Sequence, residues 1–276
     1  MSERDVRLDD GRVLHAYDSG ADAAARLVLV WHHGSPQTGA PLEPVLTAAA
    51  ARGIRVLSYG RPSYGGSSPN AGRDVASAAG DVAAVADAFG VNRFAAMGAS
   101  GGGPHALACA ALLPERATGV VTIAGIAPYT EAFEWFDGMQ SSGGLRAALQ
   151  GRDARARFEA SAEFDPEQFL PADFAALEGE WISLGADVGR SAEFGHDGLI
   201  DDDVAFASPW GFELEQVAAP VLLVQGEGDR VVPRRHAAWM LSRLPNAQLW
   251  MRLDDGHVSV LSTVPDAMDW LLANAR

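Results

Sequence analysis

The stretch Gly98-Ala99-Ser100-Gly101-Gly102 lies between a short apolar run, residues 94–97, and an Ala-rich stretch, 105–113, that suits a helix. A serine in the pattern G-x-S-x-G, entered from a strand and left by a helix, is a nucleophile elbow. The turn is sharp, so small residues must flank the serine, where bulkier side chains would clash. The geometry lifts the Ser100 hydroxyl above the sheet edge at a helix N-terminus. The Gly101 amide then faces the place where an oxyanion would form. A bare G-x-S-x-G is common; the strand before it and the helix after it are what give this one weight.

Outward from the elbow, short apolar runs alternate with helical stretches, which predicts a mostly parallel sheet covered on both faces. Residues 6–8 and 13–16 read as an opening hairpin. Further strands are expected at 27–31, 54–59, 120–124, 221–225 and 248–252, making eight with 94–97. Helices are expected near 42–51, 74–89 and 105–113, and the chain closes on a helix over 260–274. Between 128 and 212 the alternation fails. Phe133, Trp135, Phe136, Phe158, Phe164, Phe169, Phe174 and Trp181 recur at helical spacing without convincing strands. A structureless loop of that length is implausible in a compact domain. The segment 128–212 is therefore expected to be a helical cap on a core made of 1–127 and 213–276.

Four stretches bear chemistry. Besides the elbow there is His32-His33-Gly34-Ser35-Pro36, directly after the run ending at Trp31. Glycine there permits a tight turn and proline fixes its direction. The third stretch is Gln225-Gly226-Glu227-Gly228-Asp229-Arg230-Val231-Val232-Pro233, and the fourth is Asp254-Asp255-Gly256-His257-Val258 after the last strand. With Arg61-Pro62-Ser63-Tyr64-Gly65-Gly66-Ser67, these make nearly the whole chain resemble the α/β-hydrolase fold family, in its serine-nucleophile subgroup with a His-Gly-x-Pro loop and a helical cap. The resemblance implies a triad of Ser100, Asp229 and His257, in the chain order serine, acid, histidine that this fold uses. It implies also that the Ser35 amide is the second oxyanion donor, beside that of Gly101. Glu227 is a weaker candidate for the acid, and Asp254 and Asp255 are too near the histidine in sequence. His33 is expected to hold its loop by hydrogen bonds, His105 to touch the cap or lie at the surface, and Cys109 to fill a buried helix; His32 is unassigned.

Composition excludes other chemistries. All 21 basic residues are arginine, so Schiff-base chemistry, lysine-bound pyridoxal phosphate and the phosphate-loop lysine are ruled out together. No His, Cys or carboxylate cluster has metal-ligand spacing, and no cofactor is expected. The net charge of −15, spread evenly apart from the run Asp201-Asp202-Asp203, argues against nucleic-acid and membrane partners and for solubility. A single cysteine permits no internal disulfide, and residues 1–12 are charged rather than signal-like. A cytoplasmic protein acting on a small molecule is expected, and the Ala, Gly and Arg richness reflects a GC-rich, bacterial-type genome.

The expected reaction is acyl transfer through an acyl-enzyme on Ser100, with a small ester or lactone as substrate. Aspartate-nucleophile dehalogenases and epoxide hydrolases are disfavoured by the serine. The proline iminopeptidases resemble a Gly-Gly-Ser-Trp-Gly elbow that this chain lacks. Thioesterase, amidase, carbon–carbon hydrolase, cofactor-free perhydrolase and acyltransferase chemistry stay open on the same triad, as does a ligand-binding protein on a hydrolase scaffold.

Overall fold

A computed structural model describes residues 1–20 and 25–276. Among the described residues eight strands form one sheet: β1 (Ser2–Arg7), β2 (Val13–Asp18), β3 (Leu27–His32), β4 (Ile54–Tyr59), β5 (Phe94–Ala99), β6 (Ala117–Ile123), β7 (Val221–Gly226) and β8 (Ala247–Arg252). Their order is β1-β2-β4-β3-β5-β6-β7-β8. Only the β1–β2 and β2–β4 pairs are antiparallel. The strands from β4 across to β8 run parallel. β5 and β7 are buried along their whole length, which is why they read as unbroken apolar runs rather than alternating ones. β1 starts four residues earlier than expected, because its first residues are exposed and polar and carry no hydrophobic signal.

Helices cover both faces. On one, α1 (Glu43–Ala50) and α10 (Val264–Asn274) pack together over Leu29, Val56, Met97, Val121 and Leu222. On the other, α2 (Ser77–Ala88), α3 (Gly102–Leu112) and α9 (Arg235–Arg243) cover Val30, Leu57, Ala96, Val120 and Leu223. Alternate residues of a strand point to opposite faces, so Leu29 and Val30 fall in different cores. The expected closing helix is divided: a 3-10 turn over Ser259–Thr263 precedes α10, whose second residue is Pro265. Proline has no N–H to donate and suits a first helical turn, so it marks a fresh start.

Residues 128–212 carry α4 (Gly143–Ala148), α5 (Arg152–Glu159), α6 (Pro171–Glu178), α7 (Ile182–Ser191) and α8 (Asp197–Phe206), and no strand. Among the described residues no helix is long and apolar enough to cross a membrane.

Candidate active site

The turn from β5 into α3 is held in a left-handed conformation at Ser100, with φ of 51°. A non-glycine residue there is strained, and the surroundings must over-determine it. They do so by close approach. A Cβ on Gly98 would run into the Gly102 carbonyl, and one on Gly102 into that of His32. The Ser100 amide donates to the Ile123 carbonyl at 2.8 Å, and the Gly103 amide donates back to the Ser100 carbonyl at 2.9 Å. The serine is thus pinned by β6 on one side and by the first turn of α3 on the other.

The loops after β7 and β8 bring two more residues to it. His257 Nε2 lies 3.0 Å from Ser100 Oγ, and His257 Nδ1 lies 2.8 Å from Asp229 Oδ2. With Nδ1–H donating to the carboxylate, Nε2 is left with its lone pair facing the serine hydroxyl. Asp229 is 4% exposed and firmly held. Its Oδ1 accepts from the Val231 and Val232 amides at 2.8 and 2.9 Å, and its Oδ2 accepts from Gln225 Nε2 at 3.1 Å. Burial alone would discourage protonation of His257. The charge and hydrogen bond of Asp229, assisted by Asp173, outweigh it and lift the imidazole pKa above its usual 6.5. Glu227, Asp254 and Asp255, the weaker acids of the sequence, make no hydrogen bond to the ring; Glu227 pairs with Arg234, and Asp255 with Arg252.

Ser35 and Gly101 lie side by side, for a Cβ on Gly101 would come within 2.5 Å of Ser35 Oγ. The loop carrying Ser35 has a cis Ser35–Pro36 peptide and is braced from below. His33 Nδ1–H donates to the Gly34 carbonyl at 2.6 Å while Nε2 accepts from the Arg61 amide at 3.1 Å. The Arg61 side chain, 1% exposed, donates to the His33 and Gly34 carbonyls and to Ser35 Oγ. The structural role expected of His33 is the one it has. His32 is buried beside Cys109, 3.5 Å from its sulfur. His105 is not at the surface: it is 1% exposed, and its Nδ1–H donates to the Gly101 carbonyl at 2.8 Å. Burial, then Arg61, push its pKa well down, so the ring stays neutral.

The acidic run, set apart in the sequence from the evenly spread charge, is turned inward. Asp202 is buried among Arg61, Arg73, Tyr64 and Ser35, and Asp203 pairs with Arg155 at 2.6 Å. Neither serves solubility. Three consecutive helical positions span roughly 200° of the helix surface, so the acids of the run cannot all face water, and that is the available signal. Nothing comparable marked Asp173 or Asp187.

Ser35, Ser100, Gly101 and His257 open into a cavity of about 870 Å³ lined on its other side by helices of residues 128–212. Its wall is largely apolar, with Trp31, Leu145, Phe158, Phe169, Leu184 and Phe206 contributing. Charged residues interrupt it: Arg155 is held by Asp203 at 2.6 Å and by Glu159 at 2.7 Å, and Glu163 and Asp165 also line the wall. Burial raises the Asp203 carboxyl to about 6 against the pull of Arg155. Among the described residues no group of three or more His, Cys, Asp or Glu is placed to hold a metal ion.

The sequence pattern of the alpha/beta hydrolase fold matches residues 28–263. A non-heme chloroperoxidase of Streptomyces lividans is 27% identical over 259 residues, which cover 88% of this chain and 89% of that protein. An esterase of Thermogutta terrifontis superposes with a TM-score of 0.75 at 19% identity over the whole of both chains. An enol-lactonase of Burkholderia xenovorans superposes with a TM-score of 0.71 at 20% identity over 95% of this chain and 97% of that one. The chain belongs to the alpha/beta hydrolase fold family and is an enzyme of it.

Proposed function

We propose that this member of the alpha/beta hydrolase fold family is a serine hydrolase that cleaves a small ester or lactone, with Ser100, His257 and Asp229 as its triad. The observation that carries the reading is the unbroken line of hydrogen-bond distances, 3.0 Å and 2.8 Å, from Ser100 Oγ through the imidazole to Asp229. His257 takes the Ser100 proton as the hydroxyl attacks the carbonyl carbon. Asp229 favours the tautomer that does so and stabilises the imidazolium that results. The amides of Ser35 and Gly101 receive the oxyanion, each lowering the barrier by about 3 kcal/mol. His257 then gives its proton to the leaving alcohol and draws one from water, which releases the acid. No step requires a group from outside the chain other than water.

The size and wall of the cavity suit a neutral acyl chain of short to medium length. The cap segment, 128–212, excludes bulk water from the acyl-enzyme and selects the substrate. The test is a panel of p-nitrophenyl esters and simple lactones, run on the native chain and on Ser100→Ala. Turnover that disappears in the variant is expected. Absence of turnover, or turnover that survives in Ser100→Ala, contradicts the reading.

The likeness to a non-heme chloroperoxidase favours one second reading. Hydrogen peroxide could take the place of water on the acyl-enzyme and leave as a peroxy acid. Competition between water and peroxide for an acetyl or propionyl donor separates the two.

A further inference from the structure

Three cap helices each send one buried aspartate into a loop of the core. Asp173, on α6, is 0% exposed. Its Oδ1 accepts from the Val258 amide, the Ser259 amide and the Ser259 hydroxyl at 2.8, 2.8 and 2.9 Å. Its Oδ2 accepts from the Leu170 amide at 2.8 Å, and a Cβ on Gly256 would strike the carboxylate. Both chain neighbours of His257 are therefore set by a cap side chain. Asp187, on α7 and also 0% exposed, accepts from the Thr38 amide at 3.0 Å and the Thr38 hydroxyl at 2.7 Å, three residues beyond Ser35. Asp202, on α8, accepts through Oδ2 from the Ser35 hydroxyl at 2.5 Å, Arg61 Nη2 at 2.7 Å and the Tyr64 hydroxyl at 2.9 Å. Its Oδ1 takes Arg73 Nη2 at 2.7 Å.

Burying a carboxylate is costly, and an apolar side chain would fasten a cap to a core with less loss. What a carboxylate adds is direction, since its acceptor sites admit donors only at set angles and distances. Each of the three carboxylates takes at least one donor from the loop that carries His257 or the loop that carries Ser35, and Asp202 ties the second of these to Arg61, Tyr64 and Arg73 as well. We propose that Asp173, Asp187 and Asp202 are positioning residues, through which the cap sets the geometry of the histidine loop and of the oxyanion loop. On this view the cap helps to build the active site, and a chain whose cap is undocked has neither loop in place. The proposal rests on the serine-hydrolase reading for the roles of Ser35 and His257.

The experiment uses the full chain and p-nitrophenyl butyrate. Asp173→Asn and Asp202→Asn are measured beside the milder Ser259→Ala and Ser35→Ala, which delete only the hydroxyls that the two carboxylates hold. Because a misplacement of about 1 Å can cost roughly a hundredfold, kcat is expected to fall ~10- to 100-fold in the Asp variants. KM should stay near the native value. Affinity for an alkyl boronic acid, which mimics the tetrahedral adduct, should fall with kcat in Asp202→Asn and in Ser35→Ala. Ser259→Ala and Ser35→Ala cover the case in which an Asp variant does not fold, and should lower kcat in the same direction by less.

A second readout needs no turnover. The charged groups facing the His257 ring are Asp229, from the loop after β7, and Asp173, from α6. Ser100, from the elbow, is the uncharged group at its other nitrogen. Asp173→Asn lowers the His257 midpoint merely by removing a charge, so the readout is taken in Ser259→Ala, which removes none. Proton NMR titration of the His257 ring should show a lower midpoint in Ser259→Ala than in the native chain, because a displaced ring sits less well on Asp229. Folded variants with native kcat and native boronate affinity, together with an unmoved His257 midpoint in Ser259→Ala, overturn the proposal. A native chain that hydrolyses no ester, yet shows the shifted midpoint in Ser259→Ala, overturns the serine-hydrolase reading and leaves the positioning of the histidine loop standing.

Discussion

His257 Nδ1 stands 2.8 Å from Asp229 Oδ2, and Asp229 cannot easily turn away. Its other oxygen is taken by the amides of Val231 and Val232, while Gln225 fixes the shared one. In the proposed mechanism the carboxylate is therefore aimed before the imidazolium forms, and little reorganisation is needed at the moment of proton transfer.

The pH dependence of kcat/KM follows from this. In the proposed mechanism His257 acts as a base only when neutral, and its pKa is raised above 6.5. Activity should therefore rise with pH through a midpoint above 6.5 and reach its plateau on the alkaline side. Asp229→Asn removes the cause of the rise, so its midpoint should move to lower pH while the plateau drops by roughly 10⁴-fold. A native midpoint well below 6.5, followed with an uncharged ester, contradicts the assignment.

The polarity of the cavity sets a second expectation. Asp203 and Glu159 surround the single guanidinium of Arg155, and Glu163 and Asp165 also line the wall. An acyl chain ending in a carboxylate should be disfavoured relative to a methyl-terminated chain of equal length, by about tenfold in kcat/KM, or ~1.4 kcal/mol. Preference for the anionic ester would show that Arg155 is free to bind it. The measurement is a matched pair of p-nitrophenyl esters above pH 7.

The elbow at Ser100 is legible in the sequence because an apolar run ends there in small residues, whereas Asp229 and His257 follow from the resemblance of their loops to those of the family; the structure brings the three within hydrogen-bond reach. The eight strands are legible as short apolar runs, apart from the exposed polar start of β1. Asp173, Asp187 and Asp202 are not, because nothing in a helix states which core loop it will meet 85 to 167 residues away in the chain. Of the two places expected for His105, a contact with residues 128–212 or the surface, the structure has the first, against Phe206; its hydrogen bond to the Gly101 carbonyl has no sequence signature.

The elbow makes a third prediction. A methyl group on Gly102 would meet the His32 carbonyl, which belongs to the end of β3 and has little room to move. Gly102→Ala should destabilise the chain by about 2–4 kcal/mol, by overpacking against backbone. Urea unfolding followed by tryptophan fluorescence measures it. A native midpoint would mean that α3 can shift away from β3, and that the elbow is looser than its contacts imply.

The central claim is that Ser100 is the nucleophile, and the most direct measurement is covalent trapping with a fluorophosphonate. The intact mass should rise by one adduct. Trypsin should place that adduct on the peptide 94–116, whose only serine is Ser100. Ser100→Ala should take up none, and His257→Ala should react orders of magnitude more slowly. Labelling at another residue, or ester hydrolysis that persists in a chain whose Ser100 cannot be labelled, would contradict the account.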